Sequence, residues 1–234
     1  MGNKYQDIRI KWMHEKGFKV LSDQYQLDYV LDLWDKNIDG VFCESPAGTG
    51  KTAIAVLAGV YGVLNGMYDR IIYIRNTEVV GKDIGFLTGD FDAKTNVHMK
   101  ALVDIMDKLE KGMYEEWSLK GLVVATTPTH LRGITFDKAF VILDECQNWS
   151  LEELQTVHTR ITDASKSVTI GSLRQIDNQK LKYYYGYTPF EVFMMHFRNK
   201  KTSYIKLHKN YRGDWSLHAD NVQDTIKKLK EEVS

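Results

Sequence analysis

The stretch Glu44-Ser-Pro-Ala-Gly-Thr-Gly-Lys-Thr52 decides the fold. It follows a short apolar run, Val41-Phe42-Cys43, and leads into Ala53-Ile54-Ala55-Val56-Leu57, so it lies where a strand hands over to a helix. Glycines in such a turn let successive backbone N–H groups face an anion, and the start of the following helix adds the positive end of its dipole. Ser45, Pro46, Ala47, Gly48, Thr49, Gly50, Lys51 and Thr52 therefore read as a phosphate-binding loop. Lys51 is expected to reach the outer phosphates, and the Thr52 hydroxyl to hold magnesium. The usual pattern opens with glycine, whereas this chain has Ser45. Serine accepts a tight turn less freely than glycine, so a slightly displaced loop is expected.

Working outward, the 234 residues suffice for one substantial domain and not for two complete nucleotide-binding cores. A content of 43% hydrophobic and 26% charged residues is ordinary for a globular protein. No stretch approaches the roughly 18 apolar residues of a membrane helix, so a soluble protein with no membrane partner is expected. The start, Met1-Gly-Asn-Lys-Tyr-Gln6, lacks the apolar core of a secretion signal, and Gln6 stands where a myristoylation site needs a hydroxyl. Cys43 and Cys146 both lie in apolar surroundings, which predicts buried thiols in a reducing, cytoplasmic compartment. Two cysteines are too few for a cysteine zinc site. Thirty-one basic residues balance thirty-one acidic ones, so any nucleic-acid binding must rest on local basic stretches.

From Gln24 to Lys36, the apolar residues Leu27, Val30, Leu31 and Trp34 fall at helical spacing and predict a helix before the first strand. Arg70 to Arg75, Leu122 to Thr126, Ala139 to Glu145, Val168 to Gly171 and Thr202 to Leu207 predict further strands. A long loop from Asn76 to Thr95, punctuated by Gly81, Gly85 and Gly89, precedes a helix over 96–111. Ser150 with Glu153, and Thr188 with Glu191 after Pro189, are capping boxes that open two more helices. A lysine-rich helix is expected over 216–233. Near-continuous apolar strands alternating with helices argue for an α/β protein whose parallel sheet is covered on both faces. Residues 1–22 show no period and read as an N-terminal extension to a single domain over 23–234.

Asp144 and Glu145 close a buried strand. Ligands of doubly wound sheets bind at such strand ends, so both carboxylates can face the phosphate loop. Asp144 is expected to hold magnesium, directly or through water, and Glu145 to orient and deprotonate an attacking water. Gln175, in Gly171-Ser-Leu-Arg-Gln-Ile-Asp177, lies just beyond a strand expected beside that of Asp144. A glutamine there can bond the γ-phosphate or the water and so report which nucleotide is bound.

Together these segments resemble the PhoH family of P-loop ATPases, whose core is similar to one RecA-like domain of superfamily-one helicases. The matching pieces are Ser45 to Thr52, Asp83-Ile-Gly-Phe-Leu-Thr-Gly-Asp90, Leu131-Arg-Gly133, Phe140-Val-Ile-Leu-Asp-Glu-Cys-Gln-Asn148 and Gln175-Ile-Asp177. They run in family order over roughly residues 20 to 222. The resemblance implies a RecA-like P-loop NTPase fold of three layers, ATP and Mg2+ as cofactors, and work on RNA or single-stranded DNA; so compact a version would suit a phage. Two departures stand out: Ser45, and Ser172 where the family has aspartate after glycine. The second leaves the efficiency of hydrolysis open. Gln26, with Tyr29 nearby, resembles the upstream glutamine that contacts adenine in related helicases, the other reading being a helix-surface residue.

Such helicases place ATP between two RecA-like domains, the second of which supplies an arginine. A chain with room for one implies a homo-oligomer, a ring in which each subunit's arginine completes the next site in trans. Arg212 in Asn210-Tyr-Arg-Gly213 is the first candidate and Arg160 the second. Arg198, Lys200, Lys201, Lys206, Lys209 and Arg212, with Tyr204 and Tyr211 interleaved, form one basic stretch suited to stacking bases; Lys180 and Lys182 beside Tyr183-Tyr184-Tyr185 form another. The alternative readings are solvated charge, an ATP-gated assembly module with little hydrolysis, and a nucleoside kinase of the thymidine kinase type. The last shares an Asp-Glu-x-Gln segment but usually carries a cysteine zinc ribbon.

Overall fold

In a computed structural model of the chain, residues 7–76, 91–131 and 133–233 are described. Six strands build one sheet: β1 (Gly40–Glu44), β2 (Arg70–Arg75), β3 (Val123–Thr126), β4 (Ala139–Asp144), β5 (Lys166–Gly171) and β6 (Thr202–Ile205). Their order is β3-β2-β4-β5-β1-β6, and every pairing is parallel. β5 thus lies between β4 and β1, so whatever follows β5 must emerge between the ends of those two strands.

Parallel strands need helical crossovers, and these cover both faces. Alternation along the strands sorts the core into two layers. Val41, Cys43, Ile71, Tyr73, Phe140 and Ile142 pack on one side with α2 (Gln24–Trp34), α3 (Lys51–Leu64), α4 (Phe91–Leu109) and α5 (Met113–Leu119). Phe42, Ile72, Ile74, Val141 and Leu143 pack on the other with α6 (Leu151–His158) and α7 (Pro189–His196). Both expected capping boxes are present, at Ser150 with Glu153 and at Thr188 with Glu191. Cys43 and Cys146 are buried free thiols. This is the three-layer α/β architecture of a P-loop NTPase. Among the described residues, no helix is long and apolar enough to cross a membrane.

Several boundaries differ from the reading of the sequence: β6 stops at Ile205, β5 starts at Lys166, α5 is not expected from the sequence, and three helical differences are larger. Within the stretch left unassigned, α1 (Ile8–Glu15) forms, capped by Asp7, and it sets Ile10 and Met13 into the main core. Two buried positions are too few to write a period into charged surroundings. α4 begins at Phe91, ahead of the expected residue 96. The terminal helix is divided into α8 (Asp214–Asp220) and α9 (Val222–Val233) at Asn221, whose amide oxygen accepts a hydrogen bond from Arg174 Nη1. Asparagine readily trades helical bonds for side-chain ones.

Candidate active site

The turn after β1 owes its shape to Gly48 and Gly50, with φ of 72° and 85°, values that L side chains rarely adopt. A Cβ at Gly48 would also lie 2.6 Å from Asn210 Oδ1. Ser45 is another matter. The non-glycine residues with positive φ among those described are Lys138, Glu145 and Tyr185, so the position of the missing glycine demands no left-handed turn. The Ser45 hydroxyl is fully buried, accepts the Leu207 N–H at 2.8 Å and lies 3.3 Å from Cys43 Sγ. It stitches the loop to the chain leaving β6. Lys51 is largely buried at the head of α3 and donates to the Pro46 carbonyl at 3.2 Å, so its ammonium stays over the loop.

Across the sheet, Thr52 Oγ1 lies 3.2 and 3.4 Å from the two oxygens of Asp144. Asp144 also accepts from the Tyr73 hydroxyl at 2.5 Å and from the Glu145 N–H at 3.0 Å. Burial, then the neighbouring Glu145 charge, pushes its carboxyl above the ordinary range, while Tyr73, Arg75 and Lys51 pull the other way. A divalent cation would reverse that balance. The donors suit one: a hydroxyl and a carboxylate are hard oxygen ligands, and among the described residues no group of three or more His, Cys, Asp or Glu could hold a metal alone. Magnesium held by one or two protein oxygens completes its shell with phosphate and water.

Glu145 sits in the left-handed region, φ 56° and ψ 38°, immediately after β4. Such strain persists where surroundings over-determine it, and here they do. Gln147, fully buried, donates Nε2 to Glu145 Oε2 at 2.7 Å and to the Gln175 carbonyl at 3.0 Å, while its Oε1 accepts the Ser172 N–H at 3.0 Å. One amide thus ties the end of β4 to the segment after β5. Arg75, which closes β2 in register with Asp144, brings Nη2 to 3.7 Å from Glu145 Oε1. Neither Gln147 nor Arg75 was singled out as a site residue from the sequence. The available signals were the Asp-Glu-x-Gln spacing and an arginine at a strand's C-terminal end.

Glu145, Gln175, Arg75, Arg174 and Arg212 line one cleft of about 640 Å³ with Ala47 of the loop. Arg212 reaches it because its neighbours are latched to the loop: the Tyr211 N–H donates to the Gly48 carbonyl at 2.8 Å and Asn210 Nδ2 to the Ala47 carbonyl at 3.1 Å. Arg212 therefore lines the cleft of its own chain. Arg160 does not join it; Nε donates to the Leu131 carbonyl at 2.7 Å and Nη1 to that of Thr156, so its guanidinium fastens α6. Gln26 is buried and donates to the Thr49 carbonyl at 2.9 Å. It braces the loop from behind and faces a second cleft, of about 370 Å³, with Phe18, Val20, Ile54 and Tyr211. The motif from Asp83 to Asp90 and Arg132 lie outside the described residues.

The model of the PhoH-like protein family matches residues 21–217, most of the chain. This protein belongs to the PhoH-like family. A PhoH-like protein of Bacillus subtilis (strain 168) is 34% identical over 178 residues, 76% of this chain and 52% of its own length. One from Synechocystis is 35% identical over 140 residues, covering 59% and 43%. Protein PhoH of Escherichia coli (strain K12) is 28% identical over 158 residues, covering 66% and 44%. The chain thus spans about half the length of the curated relatives it matches. PhoH-like membership, with the parallel sheet and the Gly48–Thr52 turn, gives this chain the P-loop NTPase fold and speaks against the nucleoside-kinase reading.

Proposed function

We propose that this PhoH-like chain binds ATP with Mg2+ between the phosphate loop and the Asp144–Glu145 strand end, hydrolyses it, and couples turnover to RNA or single-stranded DNA. The observation that carries the reading is the approach of Thr52 Oγ1 to Asp144 at 3.2 Å with Glu145 the next residue, because it assembles the metal-holding and base-bearing walls of a nucleotide hydrolase.

In this reading the loop N–H groups and Lys51 bind the β- and γ-phosphates. Thr52 and Asp144 would hold Mg2+, which supplies charge neutralisation when bound. Glu145 takes the proton of the attacking water, and Gln175 orients that water. Arg75, Arg174 and Arg212 answer the charge that develops on the γ-phosphate. The apolar cleft beside Gln26 receives the adenine. A homo-oligomeric ring belongs to the same reading. Because Arg212 lines its own chain's cleft, the geometry favours Arg212 acting in cis over its completing a neighbour's site.

A steady-state ATPase assay with Mg2+, with and without RNA or single-stranded DNA, tests this. Wild type should turn over and be stimulated by a strand. Glu145→Gln should lose about 100-fold or more while still binding nucleotide. Equal background in both proteins would replace the enzyme by an ATP-gated assembly module.

A further inference from the structure

Between β5 and α7 the chain makes a short excursion whose tip has the sequence Lys180-Leu-Lys-Tyr-Tyr-Tyr-Gly-Tyr187. Tyr184 and Tyr187 exchange two backbone hydrogen bonds, 2.8 and 3.0 Å, around a loop of two residues. Both loop residues have positive φ, 52° at Tyr185 and 88° at Gly186, the arrangement of a type I′ hairpin. Asparagine, aspartate or glycine is the usual first residue of such a turn. Here a tyrosine is held there against its preference.

Burial does not reward that choice. The Tyr185 ring is fully exposed at 101%, and Tyr183 and Tyr187 are half exposed at 51% and 48%. The hairpin itself is firmly rooted. Leu181 is buried beneath it, Thr188 begins the capping box of α7, and Lys182 Nζ stands 4.9 Å over the Tyr184 ring. From Lys180 to Tyr187 there are two lysines and no carboxylate. Strained backbone that presents a bare aromatic ring on a hairpin carrying two lysines marks a surface shaped by what it contacts.

We propose that this tyrosine hairpin is the stacking platform for a single strand of RNA or DNA, with Tyr185 against a base face and Lys180 and Lys182 against the flanking phosphates. A single strand fits because its base faces are open, whereas those of a duplex are stacked away. A flexible lysine can follow either sugar backbone, so the platform reads strandedness rather than sequence.

The root of the hairpin also reaches the nucleotide cleft. Gln175, Asp177 and Asn178 line it, and Asn148 Oδ1 accepts the N–H groups of Asp177 and Asn178 at 2.8 and 3.1 Å. Asn178 in turn caps the start of the hairpin, accepting the Lys180 N–H at 3.0 Å on its side chain and the Leu181 N–H at 3.2 Å on its carbonyl. These bonds join the cleft-lining segment that holds Gln175 to the foot of the tyrosine hairpin. The proposal rests on the nucleic-acid reading above, and the experiment separates the two.

Fluorescence anisotropy with labelled oligo(U) and oligo(dT), repeated across a salt series, reads the affinity of the 234-residue chain. Tyr185→Ala should weaken binding about tenfold with an unchanged salt slope, and Tyr185→Phe or Tyr185→Trp should restore it. Lys180→Ala with Lys182→Ala should lower the slope by about 1.4, two phosphate contacts on a single strand. Thermal melts and nucleotide binding of each variant verify the fold. If wild type binds and Tyr185→Ala binds equally well, the hairpin is not the platform. If wild type binds neither strand at low salt, the nucleic-acid reading falls together with it.

Discussion

The two walls of the nucleotide cleft are built on different principles. The wall made by β1, the phosphate loop and α3 is local: Gly48 and Gly50 take backbone conformations other residues resist, and the helix that starts at Lys51 follows directly. The facing wall is assembled from pieces far apart in the chain. Arg75 from β2, Glu145 after β4 and Gln175 after β5 meet there, and the buried Gln147 amide holds two of them together. A backbone-coded wall tolerates side-chain change wherever φ permits. A wall held by a hydrogen-bonded network fails when one member is removed, because buried polar groups are then left unsatisfied.

The largest expected break of this contrast is at Gln147. Gln147→Ala should lower kcat for ATP by about 10- to 100-fold through loss of Glu145 positioning, with KM changed by less than about threefold; Gln147→Glu should be worse, since it sets a like charge beside Glu145. Steady-state kinetics with a melting curve measure both. A rise in KM with kcat intact would show that Gln147 serves binding instead.

A smaller effect is expected at Ser45, on the local wall. Ser45→Gly restores the usual motif yet removes the acceptor of the buried Leu207 N–H, at a cost of about 1–2 kcal/mol, or a Tm lower by about 2–8 °C. ATP affinity should stay within about twofold of wild type. Markedly tighter binding by the glycine variant would mean that serine distorts the loop after all. The smallest effect concerns α8, which adds Asp220 to the cleft with both carboxylate oxygens buried and no hydrogen-bond partner among the described residues. If the cleft takes ATP as proposed, Asp220→Asn removes a negative charge from its lining and should tighten ATP binding by about two- to fivefold. Calorimetric titration that finds no change would detach α8 from nucleotide binding.

Much of the site was legible because its parts are contiguous. The glycine-rich turn, the apolar strand ending in Asp144 and Glu145, and both capping boxes each sit within a few residues, where local sterics and hydrogen bonding dominate. Other parts were not. Arg160 and Arg212 were equally arginines in the sequence, yet one is spent on two carbonyls and the other lines the cleft. Gln26 resembled a base-contacting residue, and its amide is also a brace under Thr49. The hairpin at Tyr185 was visible as a run of tyrosines, but its positive φ and full exposure were not. α1 is not legible in the sequence because its fully buried residues are only Ile10 and Met13, among charged neighbours.

By itself, the sequence determined that an α/β sheet carries a phosphate loop after one strand and a carboxylate pair after another, because strand patterning and turn chemistry act over short distances. The tertiary structure alone decided which distant side chains share the cleft. The order β4-β5-β1 brings Thr52 to Asp144 and lets the Gln175 segment, which follows β5, emerge beside Glu145. Partners that meet only through strand order leave no mark of one another in the chain, since their contact is set by packing and not by spacing.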